Sequence, residues 1–592
     1  MLVRIESFPG VNKKETETLL KPGEFSDMSN VLITDDKKPK KMYGYAKLFA
    51  TLGAHDINGM WFGSLSGTDH FLFSCNGHIY EQNLSTHANT DLGALTDALT
   101  SFFVTNNTVY IMNGANIYSW AGSGSIAAVV GYVPTVVTAA PPEGGGTLLE
   151  PINYLSGTKI QKFSPDGIAY VFQLAEYDID SVDLVTVGGV DQVLTTDYTV
   201  DLSAGTVTFV ALLTEGTNSV SIKFTKVTTG DRELITKNLY FGGVYYSRFW
   251  LYGNPDHKNT RYVSGVTMAG VSDPTYWPKY TDSDVGEYEI TGICTQYDKQ
   301  IIFTSGDSEA SSWYSYVDTY TDSSTGLVVT LFPVKPINSQ YGNEARGQIR
   351  IIYNNPFTVW KGIYQWKSTA VVNEKDVLWM SENIQRDLAT LDLSTALTMD
   401  WPHKGLYWVC VGKKVWVLNY RIGAWYILDI AHTPTCFLVA DGEMYFGTDA
   451  GLIMKFDESL GTFDGADIDS YCDTGYMTFD AEFVEKEIWD MWISILPYLT
   501  THVDIYISTD KNSNWVEVEP LNPIEYSLSS FETWDFSDFS FETNFAPQPF
   551  KRSPRLNSVG YVKFRFQSNG ADTFALLSHI IDVVQNNVTN RR

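Results

Sequence analysis

Basic residues are scarce in this chain: 41 Lys and Arg stand against 69 Asp and Glu, a formal charge of −28 at pH 7. So acidic a protein repels a polyanion over most of its surface, which argues against a sequence-reading nucleic-acid protein. Cysteine is rare too. The five, at 75, 294, 410, 436 and 472, are odd in number and widely spaced, with no C-x-x-C pair and no histidine at zinc-finger spacing, so buried free thiols are expected. No apolar run is long enough for a membrane helix, and the opening Met1-Leu2-Val3-Arg4-Ile5-Glu6 lacks the apolar stretch of a secretory signal. Synthesis in a cytoplasm and no membrane span are the expectation. Helical periodicity is scarce; Glu382 to Leu393 is its best stretch.

Signatures of chemistry are missing as well. There is no G-x-S-x-G, no phosphate-binding G-x-x-x-x-G-K-[ST], no H-E-x-x-H and no calcium-loop spacing. Of nine histidines, His70 and His78 lie near one another, but separate strands suit them better than a shared metal. Asp535 and Asp538 form a carboxylate pair of the kind glycoside hydrolysis uses, yet pairs are commonplace among 69 acids. The chain is therefore expected to be no enzyme, with no catalytic, cofactor-binding or metal-binding residue.

What is present is a folding composition, 44% hydrophobic and 14% aromatic, in 592 residues, enough for about four domains. Short β-favouring runs follow one another between Asn-Gly or Asn-Asn turns: Phe71-Leu72-Phe73, His78-Ile79-Tyr80, Phe102-Phe103-Val104 and Val109-Tyr110-Ile111-Met112. Asn76-Gly77-His78-Ile79-Tyr80 is echoed by Asn106-Asn107-Thr108-Val109-Tyr110. Gly412-Lys413-Lys414-Val415-Trp416 is echoed by Asp441-Gly442-Glu443-Met444-Tyr445. A turn plus an apolar-aromatic strand, repeating at about 30 residues, is what propeller blades look like, because one blade buries its faces only against its neighbours. The expected fold is all-β: a β-propeller-based core with an inserted β-sandwich-like domain and a C-terminal β domain.

The expected boundaries are an N-terminal arm (1–50) lying extended along a surface, a first part of the propeller (51–147), the insert (148–228), a second part of the propeller (229–461) and a C-terminal β-rich domain (462–592). Pro141-Pro142-Glu143-Gly144-Gly145-Gly146 reads as the linker before the insert. Ser508-Thr509-Asp510-Lys511-Asn512-Ser513-Asn514-Trp515 resembles the Asp-box of sialidase-like propellers, with Asn512 in place of a left-handed Gly, and predicts a hairpin turn.

Charge is distributed unevenly. The 111 positions from 48 to 158 hold no Lys or Arg, but they hold Asp56, Asp69, Glu81, Asp91, Asp97, Glu143 and Glu150. The first fifty residues are slightly basic by contrast.

Three segments of the start, Phe8-Pro9-Gly10-Val11-Asn12, then Leu20 to Val31 with Pro22-Gly23-Glu24, then Lys41-Met42-Tyr43-Gly44-Tyr45, resemble the start of tail nozzle and tail hub proteins of short-tailed bacteriophages. Ala424-Trp425-Tyr426-Ile427-Leu428 and the run Met444 to Asp457 are similar to the closing blades of the same proteins. Lys41-Met42 stands where an Arg-Pro pair is common. The resemblance implies a structural protein of the virion tail, usually six copies in a ring docked under an adaptor ring on the portal side. Tail fibres or receptor-binding proteins are further partners, and double-stranded DNA passes through without specific binding. Duplex DNA carries one charge per roughly 1.7 Å, so a wall rich in Lys and Arg would hold it, and an acidic or base-free wall avoids that adhesion. Asp56, Asp69, Glu81, Asp91, Asp97, Asp282, Asp284 and Glu287 are the candidate lumen acids. A glycan-binding or glycan-hydrolysing sialidase-like propeller, and a monomeric interaction scaffold, are the alternatives, and fold alone does not choose among them.

Overall fold

The computed structural model describes all residues except 50–51, 322–327, 369–374, 483, 497, 499, 518–523, 528–545 and 586–592. Strands dominate it, and its helices are short, as at Asp231–Thr236 and Gln385–Leu388.

Six four-stranded antiparallel meanders and a seventh extended by two short strands are present among the described residues. Blade 1 is Ile57–Leu65, Thr68–Cys75, His78–Gln82 and Asn89–Ala94, and blade 2 is Ser101–Thr105, Thr108–Met112, Ile117–Trp120 and Ala127–Ala128. Blade 3 is Tyr240–Tyr245, Arg248–Tyr252, Thr260–Val263 and Ser283–Asp284, and blade 4 is Glu289–Gln296, Lys299–Ser305, Ala310–Ser315 and Val334–Asn338. Blade 5 is Arg350–Ile352, Asn355–Val359, Ile363–Ser368 and Lys375–Trp379, and blade 6 is Leu397–Trp401, Leu406–Val411, Lys414–Asn419 and Ala424–Asp429. Blade 7 joins Pro434–Ala440, Glu443–Thr448 and Ile453–Phe456 to Tyr45–Lys47 from the start of the chain. Such meanders are the repeating unit of a β-propeller, and the fold is all-β and propeller-based. The repeat turns supply the local cause. Asn76-Gly77, Asn106-Asn107 and Asp441-Gly442 hold both residues at positive φ (51° and 69°, 50° and 58°, 49° and 82°), the twist a two-residue hairpin needs.

The described chain forms two compact units, one of residues 1–62, 85–88 and 348–592, the other of 63–84 and 89–347. In the second unit the first strand of blade 3 lies beside the first strands of blades 2 and 4; in the first unit that of blade 6 lies beside those of blades 5 and 7. Within each unit, neighbouring blades thus meet through their first strands.

Between blades 2 and 3 sits the insert. A six-stranded sheet (Thr147–Leu148, Thr135–Ala140, Thr158–Phe163, Val220–Thr225, Ser181–Val187, Val190–Asp191) accompanies a three-stranded one (Val171–Gln173, Thr206–Phe209, Tyr198–Asp201). They share a core of Phe163, Phe172, Val185, Val207, Phe209, Ile222 and Phe224. The insert's sheet opens at Thr135, ahead of the expected 148. Pro141 to Gly146, expected as a linker, is instead the turn between the insert's first two strands. A Cβ on Gly146 (φ +101°) would stand 2.8 Å from the Ala140 Cα, so the glycines serve a tight reversal.

The larger correction concerns residues 1–50. The described residues among them are no extended arm: Tyr45–Lys47 completes blade 7, and the strands before it belong to two seven-stranded sheets built with the end of the chain. Leu2–Ile5, Val31–Ile33 and Pro39–Lys41 join Lys486–Leu496, Gln548–Arg552, Leu556–Val559 and Ala575–Gln585. Gly10–Val11 and Glu24–Ser29 join Ser470–Thr474, Thr500–Thr509, Asn512–Glu517, Ile524–Ser527 and Val562–Ser568. Charged residues at the turns hid the apolar alternation between them: Phe8, Val11, Phe25, Met28, Val31 and Ile33 are all buried. Val562–Ser568 shows the same alternation, with Phe564 and Phe566 inward and Lys563 and Arg565 outward over Trp515 at 5.0 and 4.6 Å.

His579 sits in this core with the rings of Phe564 and Phe566 edge-on at 4.8 and 5.3 Å and, among the described residues, no partner for either ring nitrogen. Burial pushes its pKa down to about 3. The unfolded chain therefore binds a proton below about 6.5 that the folded chain refuses, so stability falls as pH drops through that value and keeps falling toward 3, by up to about 1.4 kcal/mol per pH unit. Urea midpoints at pH 7 and pH 5 are expected to differ less in His579→Leu than in the parent chain. An equal pH dependence in both would show that His579 is charged in the folded state.

Candidate functional site

The base-free span becomes blades 1 and 2 and the first strands of the insert, so those two blades display no Lys or Arg side chain. Asp56 is exposed at the entrance to blade 1, Asp69 is exposed on its second strand, and Asp97 is exposed in the link to blade 2. Glu81, on the third strand, is hydrogen-bonded to His70 Nδ1 at 2.6 Å. Asp91, on the fourth, lies 2.9 Å from His78 Nδ1 without the alignment of a hydrogen bond. The two histidines thus serve two different carboxylates. Glu150 is no surface charge: it is buried and accepts from the backbone N–H of Thr135 (2.7 Å) and Met268 (3.0 Å).

The second group lies at the edge of blade 3. Asp284 is on its outermost strand and accepts from Thr260 Oγ1 at 2.6 Å, Asp282 accepts from the Tyr154 hydroxyl at 2.9 Å, and Glu287 is exposed beyond. Burial and the Asp282 carboxylate together hold the Tyr154 phenol well above its usual range. Every candidate acid therefore lies on a second or later strand of its blade or on a loop, and none lies on a first strand.

Two features lay beyond sequence reasoning. Asp400, on the first strand of blade 6, is paired across the ladder with the fully buried Tyr407. One oxygen accepts from Tyr420, and burial pushes the carboxyl up to about 6; the other oxygen and the Tyr407 hydroxyl have no partner among the described residues. A single Asp in Leu397-Thr398-Met399-Asp400-Trp401 gives no hint of this. The second is a groove of about 570 Å³ beside the start of the chain, lined by Met1, Leu19, Lys21, Tyr476, Phe479 and Asp480 among others.

The five cysteines are free, four of them buried, and burial pushes the Cys410 and Cys436 thiols up to about 12, far from thiolate chemistry. Among the described residues no cluster of three or more His, Cys, Asp or Glu suits a metal ion. The Asp-box-like segment does turn a hairpin, between Thr500–Thr509 and Asn512–Glu517, but in the C-terminal sheets rather than in a blade. Asp510 accepts from the Gly560 N–H at 2.9 Å, and Asn512 opens the return strand without a left-handed φ. Asp535 and Asp538 lie outside the described residues.

No protein-family model matches the chain, and comparison with curated proteins finds no match. Among solved structures it is similar to BamB from Moraxella catarrhalis, at 9% identity and TM-score 0.31, over 77% of this chain and 98% of that one. YCF48 from Cyanidioschyzon merolae shows 9% identity and TM-score 0.26 over 70% and 99%. The computationally designed Ika8 protein shows 11% and 0.30 over 69% and 99%. At those TM-scores none of them carries an argument about this chain; its propeller character rests on the seven meanders of its own.

Proposed function

We propose that this chain is a structural tail protein of a short-tailed bacteriophage, the nozzle or hub subunit, which assembles with further copies, six in the expected ring, into an acidic conduit for double-stranded DNA. On this proposal it is a virion component and not an enzyme, docks on an adaptor ring, and offers outer surfaces to fibres or receptor-binding proteins.

One observation carries it. The two stretches that resemble nozzle and hub proteins, at the start and near residues 424–457, are hundreds of positions apart in sequence and are built into one substructure. Gly10 lies so close to Trp425 that a Cβ would stand 2.4 Å from its carbonyl oxygen. Tyr45–Lys47 pairs with Ile453–Phe456 as the last strand of blade 7, and the Tyr45 ring packs on Phe446, Phe456 and Phe463 at 5.0, 5.2 and 4.6 Å. The basic residue of the Lys41-Met42-Tyr43-Gly44-Tyr45 stretch also ties the chain together. Lys41 is buried, and its Nζ donates to the carbonyls of Ser568 (3.2 Å) and Gly570 (2.8 Å). The resembling residues are thus the ones that lock the start of the chain to its closing blades. The charge of −28 and the base-free blades supply the reason a conduit of this chain would let DNA slide.

Electron microscopy of the purified chain, and of the particle labelled with an antibody against it, tests the proposal. A ring with an open lumen at the tail tip is expected, and dispersed single molecules in both preparations would overturn it. The charge argument has its own test. Asp56→Lys, Asp69→Lys and Glu287→Lys together change exposed positions only, so rings should still form, while genome release slows by about tenfold or more as phosphates are held at the wall. Release at the parent rate would remove the electrostatic role.

A further inference from the structure

A cleft of about 310 Å³ opens between the first hairpin of blade 2 and the loop that joins the third and fourth strands of blade 3. Asn106, Tyr110, Val271, Asp273 and Pro274 line it with three further loop residues. The loop is a stiff wall: Val266 bridges to Ser272, the Thr267 N–H donates to the Val271 carbonyl at 3.0 Å, the Ser272 hydroxyl donates to the Ser247 carbonyl, and the Met268 N–H donates to the buried Glu150 at 3.0 Å. Tyr110 is only 8% exposed, one face of its ring stacked on Phe103 at 4.9 Å, yet its hydroxyl makes no hydrogen bond among the described residues. Burial and the Asp273 carboxylate hold this phenol above its usual range, so it keeps its proton as a donor. Asp273 Oδ1 accepts from the Thr275 N–H at 2.8 Å and from Thr275 Oγ1 at 2.7 Å, while Oδ2 has no partner among the described residues. Asn106 sits at the hairpin turn with φ 50°, and its side-chain amide is also without a partner among them. Three hydrogen-bonding groups thus face one cleft with capacity the fold does not use, and a nearly buried hydroxyl left so is costly.

The chemistry of the lining narrows the ligand. No Lys or Arg is among the lining residues, so a phosphate, sulfate or carboxylate would meet Asp273 with no cation to hold it. A divalent metal would find a single carboxylate, too few for its oxygen shell. An ammonium group is best held over open aromatic faces, and the Tyr110 ring gives a face to Phe103. Neutral hydroxyl groups match what remains: a phenol that donates, a carboxylate oxygen that accepts, an amide that does both, and apolar surface at Val271, which is 60% exposed, and at Pro274. We propose that this cleft binds one neutral sugar ring, free or at the end of a glycan. Its hydroxyls donate to Asp273 Oδ2 and accept from the Tyr110 O–H, Asn106 bridges two of them, and its C–H face lies on Val271 and Pro274. The volume stands at the low end of the roughly 300–1,000 Å³ of small-molecule sites, which suits a single ring. The proposal is separate from the tail reading: it uses only blades 2 and 3 and holds whether or not rings assemble.

Saturation-transfer NMR on the full chain tests it, with glucose, galactose, mannose and N-acetylglucosamine as free sugars and as methyl glycosides, and glucuronate and galacturonate as anionic counterparts. At least one neutral sugar is expected to bind at about millimolar affinity, and its uronate about tenfold more weakly or less, because the cleft offers the carboxylate only Asp273. Binding of the methyl glycoside as well as the free sugar assigns the end of a glycan; binding of the free sugar alone assigns a free monosaccharide. Tyr110→Phe removes a hydroxyl that the fold does not use, so the urea midpoint should stay at the parent value while affinity falls about tenfold. Asn106→Gly keeps the left-handed turn and should cost about threefold. No transfer to any neutral sugar, uronates bound as well as their neutral counterparts, or affinity untouched by both substitutions would overturn the proposal. So would a Tyr110→Phe chain of clearly lower urea midpoint, because the hydroxyl would then serve the fold.

Discussion

A chain lacking residues 1–45 is expected to lose its two C-terminal sheets rather than merely a docking arm. Ile5, Phe8, Val11, Phe25, Met28, Val31 and Ile33 are each at most 3% exposed, and the first strand pairs residue by residue with the last, Leu2 with Asp582 through Ile5 with His579. At roughly 1.5–3 kcal/mol for each buried side chain, the deleted contacts exceed about 10 kcal/mol, comparable with the whole stability of a typical domain. Near-UV circular dichroism and limited proteolysis of the truncated chain should show lost tertiary packing from residue 470 onward. A cooperative urea transition at the parent midpoint would mean that the sheets close without their N-terminal strands. The truncation therefore cannot be used to ask whether the start of the chain joins one subunit to another; exposed positions such as Lys14 are the ones to vary for that purpose.

The second large effect is expected at Gly44. A Cβ there would stand 1.9 Å from the Thr462 carbonyl oxygen and 2.8 Å from two further backbone atoms, where Tyr45–Lys47 enters blade 7. Backbone cannot yield as a side-chain tip can, so Gly44→Ala should cost about 3–5 kcal/mol by displacing that strand. Gly412 supplies the contrast. Its φ is +61° and nothing lies within 4 Å of a built Cβ, so Gly412→Ala meets only the left-handed backbone penalty of about 1–2 kcal/mol. Chemical denaturation of both variants checks the order. If Gly412→Ala proved the worse, close packing at the blade 7 junction would not be what the Gly44 position protects.

Both predictions bear on how much could be read before the structure. The strands at residues 71–73, 78–80, 102–104 and 109–112 and the hairpin turns between them were legible, because a two-residue turn and a β-favouring run are local properties. The insert's strands were legible for the same reason, whereas its opening was not: Thr135–Ala140 reads equally well as a blade strand, and only its pairing with Thr158–Phe163 assigns it. The acids of the base-free span could be named from the sequence. That Glu81 and Asp91 answer to His70 and His78, and that Glu150 is buried as a backbone acceptor, could not.

By itself the sequence determined an all-β chain of repeated short strands, a strong negative charge with two blades' worth of residues free of Lys and Arg, and five widely spaced cysteines. Periodicity, turn chemistry and charge are carried by neighbouring residues. Only the tertiary structure decided that Leu2–Ile5 belongs beside residues 579–582 and that Tyr45–Lys47 completes a blade begun near residue 434. A strand's partner is chosen by shape and burial across hundreds of residues, and any apolar-alternating segment offers the same hydrogen-bonding groups to every candidate until the rest of the chain has taken its place.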